Sequence, residues 1–338
     1  MIVISGVFMP NLLNQLLNLF QTRAQPKLIP DSRNEPAQII SSKVLLIVYD
    51  PIVDPVKNIK LSQQQDWYRA GDLVNTFLTD MLQVSRGLLR YQIVQRLDLD
   101  EFPVKKDGYR YTSQTYLDML RGASPPHRPQ EADYNEIITK HKILPRIARR
   151  EIDEVWLFAY PHAGFFESTM GGPEAFWCNA PPLQKTESAL RRFVVMGFSY
   201  ERGVGEMLES YGHRAESILQ KTFEPTVGEA NLWNRFSRYE KIAPGHAACG
   251  TIHFAPNSQR DYDWNNPTPV RSESYDWLLN FPELKGDVRT LGSTEWGSGD
   301  IRAHHLWWFN HFPKTAGRRN GIHNNWWQYV ADPNNVPG

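Results

Sequence analysis

The chain has 338 residues, 41% hydrophobic and 22% charged, an ordinary globular usage that excludes a collagenous, disordered or multi-span membrane protein. Its 37 Lys and Arg balance 37 Asp and Glu, so no net field draws the whole molecule to nucleic acid or to anionic lipid. Cys178 and Cys249 are too few for a disulfide framework or an all-thiolate zinc site, although one bridge between them is open.

The first 22 residues carry no charged side chain, and Asn11 to Phe20 is moderately apolar. A secretory leader wants a basic start and a small-residue cleavage site, whereas Pro10 and four amide side chains interrupt this stretch, so the compartment stays open. Residues 21–41 carry Pro26, Pro30 and Pro36 without a clear period and read as a linker. Segment 1–41 is therefore expected to be a leader or flexible arm, with the folded body beginning near Lys43. No run is long and apolar enough to predict a transmembrane segment.

Val44 to Val48 is a short apolar run ended by Asp50-Pro51, which predicts a strand buried on both faces. From Asp72, the positions Leu73, Val74, Phe77, Leu78, Met81 and Leu82 recur at helical spacing, and Tyr91 to Leu97 follows as an alternating strand. A Pro-rich loop at 124–129 precedes a second buried strand, Asp153 to Ala159, and Arg192 to Gly197 repeats the pattern. The helix after it has the cleanest period, with Val204, Met207, Leu208, Tyr211, Ala215, Ile218 and Leu219 on one stripe. Alternating strands and helices predict an α/β fold over 42–222, a mostly parallel sheet with helices on both faces and ligands past the strand C-termini. Residues 223–338, rich in Trp, Asn, Pro, Gly and His, predict a loop-rich aromatic layer packed back on that body.

The helix beginning near Gly203 carries the main chemical signal. At about 100° per residue, Glu206 and His213 share a face with Glu209 and Glu216, opposite the apolar stripe. Glu209 to His213 is an i,i+4 step and His213 to Glu216 an i,i+3 step, spacings that let carboxylate and imidazole meet at one divalent ion. A polar helix face is more often simply solvated, but Gly245 to His253 adds His246, Cys249 and His253, and Asp261-Tyr-Asp263 follows. The run Thr251 to Phe254 reads as a strand entered from a glycine turn. No His-Glu-x-x-His run is present. His213-Arg-Ala-Glu216 has the spacing seen in carboxypeptidase-type zinc sites, a likeness of four residues from which no family is inferred.

Gly197-Phe-Ser-Tyr-Glu201 resembles the nucleophile elbow of α/β-hydrolases, with Glu201 where the second glycine belongs, and makes Ser199 a rival nucleophile. Gly203-Val-Gly205 lacks the third glycine of a dinucleotide fingerprint, because Leu208 stands there. His162 and Glu167 follow a strand end where substrate is expected. His304, Trp308, Trp326 and Trp327 offer flat faces and polar groups that suit a sugar ring, against a commoner role as core.

These residues favour a hydrolase with a divalent metal, zinc by ligand type, held among Glu206, Glu209, His213, His246 and His253, with Glu216 or Glu295 as general base. Peptide or glycan substrates are expected and nucleic acid is not. A serine hydrolase through Ser199 and a non-catalytic glycan-binding protein are the alternatives.

Overall fold

A computed structural model describes residues 32–337, and the leader reading of the first residues lies outside them. Its centre is a five-stranded sheet of β1 (Ile40–Tyr49), β2 (Leu89–Leu99), β3 (Glu154–Ala159), β4 (Ser168–Gly171) and β5 (Phe193–Ser199), in the order β2-β1-β3-β5-β4. The first four in that order run parallel, and β4 closes one edge antiparallel to β5. The fold is thus the mostly parallel α/β type that the sequence predicts.

Side-chain pattern explains the strand order. Every residue of β3 and the run Val44–Tyr49 of β1 are buried, as strands covered on both faces require. In contrast, β2 alternates between covered and exposed positions and takes an edge. Helix α1 (Ala70–Val84) turns Leu73, Val74, Phe77 and Met81 inward, although Leu82 is exposed on its outer side. Phe77 meets Trp156 and Phe198 of the sheet and Tyr211 of the long helix α2 (Val204–Phe223). Shorter helices at Tyr134–Lys140 and Ile143–Ala148 give Ile137, Ile143 and Ile147 to the same core.

On α2, Leu208, Tyr211 and Ala215 are fully buried, while Val204 in the first turn is only partly covered. Helices α3 (Ile301–Asn310) and α4 (Trp327–Ala331) form a further layer packed against α2. That second layer buries Arg214, whose guanidinium pairs with Glu154 and donates to the carbonyls of Val330 at 3.0 Å and Ala331 at 3.1 Å. Three donors in one fork satisfy a charge that would otherwise be too costly to bury.

Several expectations are corrected. Residues 32–41 are not a free linker, because Glu35 pairs with Arg318, its carbonyl accepts from Gly317 N at 2.7 Å, and β1 already starts at Ile40. Thr251 to Phe254 is a turn, not a strand: Thr251 N donates to Phe254 O, and the Thr251 hydroxyl accepts from the N–H groups of His253 and Phe254. Cys178 and Cys249 are both buried and free, so they do not pair. Trp308, Trp326 and Trp327 are all 0% exposed and belong to the main core, which leaves no open face for a sugar. Among the described residues no helix is long and apolar enough to cross a membrane.

Candidate metal centre

Two glycines of α2 decide what can lie against it. A Cβ on Gly205 would come within 2.5 Å of Ile301, and one on Gly212 within 2.4 Å of Ile252. Their lack of a side chain lets α3 and the loop carrying Ile252 approach the helix backbone closely. Ile252 is fully buried in that notch, and its N–H donates to Glu216 Oε1 at 2.9 Å. His253, the next residue, is thereby set beside His213, with ring centroids 4.7 Å apart and planes at 80°.

Glu209, His213 and His253 present one ligand atom each, all within 4.8 Å of one another. His253 Nε2 lies 3.0 Å and His213 Nε2 3.9 Å from Glu209 Oε1. Two ligands about 2.1 Å from one ion at a tetrahedral angle stand roughly 3.4 Å apart, so these separations bracket what a zinc ion requires. Both imidazoles turn Nε2 inward. Their other nitrogens face carboxylates: His213 Nδ1 is 3.1 Å from Glu216 Oε2, and His253 Nδ1 is 3.6 Å from Asp261 Oδ1. An outer carboxylate on the second ring nitrogen fixes the tautomer and raises the ligand's basicity.

Two further groups complete the cluster. Glu167 Oε2 stands 3.8 Å from His213 Nε2 and accepts from Asn179 Nδ2 at 2.7 Å. Tyr262 donates its hydroxyl to Glu209 Oε1 at 2.8 Å, and the Tyr262 oxygen itself is 3.2 Å from His253 Nε2. Tyr262 is 47% exposed and holds φ at +58°, a left-handed conformation that is costly for an aromatic residue.

The charges of the cluster hold one another. Burial opposes the charge on His213, but the hydrogen bond and charge of Glu216, with Glu167 and Glu209 behind, raise its pKa to about 9. Burial likewise opposes the charge on Glu209, yet hydrogen bonds from His253 and Tyr262 keep its carboxyl below the usual range. Burial and the nearby Glu209 carboxylate push the Tyr262 phenol up, so it stays protonated and able to donate.

The other residues singled out from sequence fall elsewhere. Glu206 shares a direction with His213 but sits seven residues earlier, about 10 Å along the axis, too far to share an ion. His246 is exposed and outside the cluster. Glu216 spends both oxygens on His213 and Ile252, so it orients the His213 ring and has neither oxygen free for a base's work. Glu295 is exposed and accepts from Tyr275. Ser199 Oγ has only the Glu201 N–H near it, at 3.4 Å, and no histidine partner among the described residues. His162 is partly covered, its carbonyl taken by Lys105 Nζ at 2.6 Å. His304 is fully buried, stacked on Trp264 and 3.1 Å from His305 Nδ1.

Glu209, His213 and His253 do not line the crevice expected past the strand ends. There, the space lined by Tyr160, Gly164, Phe165 and Ser199 measures only about 10 Å³. The donors converge instead on the flank of α2, beside the edge strand β4 that Glu167 precedes. Asn179 had no sequence signal of its own, since its role follows from the loop after β4 docking on α2, where Asn179 N donates to Ser217 Oγ. No protein-family model, curated protein or solved structure matches the chain.

Proposed function

We propose that the chain is a divalent-metal hydrolase, with zinc as the ion and a peptide or glycan bond as its target. The observation that most supports this reading is the pair of histidines turning Nε2 toward Glu209 while carboxylates stand at both Nδ1 atoms. Two imidazoles and one carboxylate make a donor set that suits zinc and leaves a fourth position free. When bound, the ion would polarise the scissile group and acidify a water.

The remaining work falls to the chain's own groups. With Glu216 committed to His213, Glu167 is the carboxylate placed to take a proton, and Asn179 fixes its orientation. Tyr262 supplies a hydroxyl at the mouth of the cluster; its one proton goes to Glu209 here, and on turning from Glu209 it can donate to an oxygen that gains negative charge. A depression of about 440 Å³ adjoins Tyr262, lined by Gln259, Arg260, Asp263, Asn265 and Asn266. Such amide and charged groups match the donors and acceptors of a peptide backbone or sugar hydroxyls.

Glu167→Gln should retain bound zinc and lower hydrolysis of a peptide and glycan panel by about 100- to 10,000-fold, the contribution usual for a positioned acid or base. Unchanged turnover in that variant, or turnover that survives chelation, would count against the reading. One observation favours a second reading: His213 faces Glu167, Glu209 and Glu216 and pairs with them as an imidazolium, so the cluster also holds together as partly buried ion pairs without an ion. Metal analysis separates the two.

A further inference from the structure

Away from α2, a cavity of about 260 Å³ lies between the end of α1, the helix Ser274–Asn280 and the turn after α3. Its walls are aromatic, from Trp277, Phe281 and Phe312, and its only charged residues are Arg86 and Lys314. No carboxylate lines it, so two basic side chains share a partly aromatic space without a counter-charge. The Lys314 ammonium has one bond, to the Asn310 carbonyl at 2.5 Å, and the exposed Arg86 guanidinium has no partner among the described residues. Two further lining residues hold polar atoms that are buried and unpaired, the hydroxyl of Thr315 and the indole N–H of Trp277.

A folded chain rarely leaves buried donors unsatisfied and like charges unopposed in the same small space, because each costs free energy unless something binds there. We infer that this cavity is a binding site for a small organic anion with an apolar body, its acid group held by Arg86 and Lys314 and its body by Trp277, Phe281 and Phe312. The chemistry on the page favours such a ligand over its alternatives. A bare inorganic anion would leave the aromatic walls unused, and a neutral apolar molecule would leave both cations unpaired. Burial, reinforced by the charge of Arg86, pulls the Lys314 amine down to about 7, so an arriving anion supplies the charge that the site lacks. The site shares no residue with the Glu209 cluster and does not depend on how that cluster is read.

Fluorinated probes test this by ¹⁹F NMR on the full chain: 4-fluorobenzoate, 4-fluorophenyl phosphate and, as neutral control, 4-fluorobenzyl alcohol. At least one of the two anions should bind saturably, at least tenfold more tightly than the alcohol. Arg86→Gln and Lys314→Met should each weaken it tenfold or more, with unchanged circular dichroism. The tighter of the two anions identifies the acid group as carboxylate or phosphate. Thr315→Val, a change of one hydroxyl in shape-conserving form, should weaken binding by a smaller factor and guards against misfolding of the charge variants. Equal binding of the alcohol, equal binding to the charge variants, or no binding of either anion would overturn the assignment.

Discussion

Replacing His213 with Ala is expected to weaken zinc binding to the metal-stripped protein by more than about 100-fold. An outer partner of a zinc-bound histidine already contributes about 10- to 100-fold, and His213 is placed to contact the ion itself. Its Nε2 points at Glu209 and Glu167, and its Nδ1 is held by Glu216, so the ring is already oriented into the cluster. The fold should persist, because the imidazole lies on the polar side of α2 while Leu208, Tyr211 and Ala215 anchor the helix. His246→Ala is the matched control: that residue is exposed, outside the cluster, and should bind zinc like the parent. Calorimetric zinc titration with circular dichroism on each variant reads both effects. Equal affinities in the two variants would remove His213 from the site.

Trp326→Ala and Trp327→Ala should each cost about 3–5 kcal/mol of stability, the range for emptying a buried aromatic site. Trp326 meets Phe223, Trp233, Phe236, Trp277, Phe281 and Phe312, so its removal strips the centre of the layer that holds α2. Trp327 meets Phe309 and Phe312. Because both touch Phe312, the double variant should fall short of, or exceed, the sum of the single losses. Urea unfolding gives the answer through a lower midpoint at constant slope. A variant that kept its midpoint but lost glycan binding would restore these tryptophans as a sugar platform.

How much was legible in the sequence depended on the range of the interaction. Runs such as Val44–Val48 and Val155–Ala159 declare buried strands because coverage on both faces leaves no room for polar alternation. The α2 stripe declares itself by period alone, and with it the approach of Glu209 to His213. Angle without axial rise misled at Glu206, which shares the direction of His213 but not its height on the helix. Thr251 to Phe254 has strand-like residues, but Gly250 at φ +74° and the Thr251 hydroxyl close a turn instead. What no local pattern carries is the notch at Gly212, since its meaning appears only when Ile252 fills it and delivers His253. Helix α3 was hidden for a related reason: His304, His305, Trp308 and Phe309 are all buried between layers, so no polar stripe marks its period.

If Glu209, His213 and His253 together hold one divalent ion, as we propose, the purified protein carries that metal. Elemental analysis of protein prepared without added metal, beside the triple variant Glu209→Gln, His213→Ala and His253→Ala, is the measurement. Close to one equivalent of zinc per chain is expected in the parent and essentially none in the folded variant. A parent free of divalent metal that also fails to take up added zinc, or a variant that carries as much as the parent, would contradict it and leave the cluster as a network of ion pairs around His213.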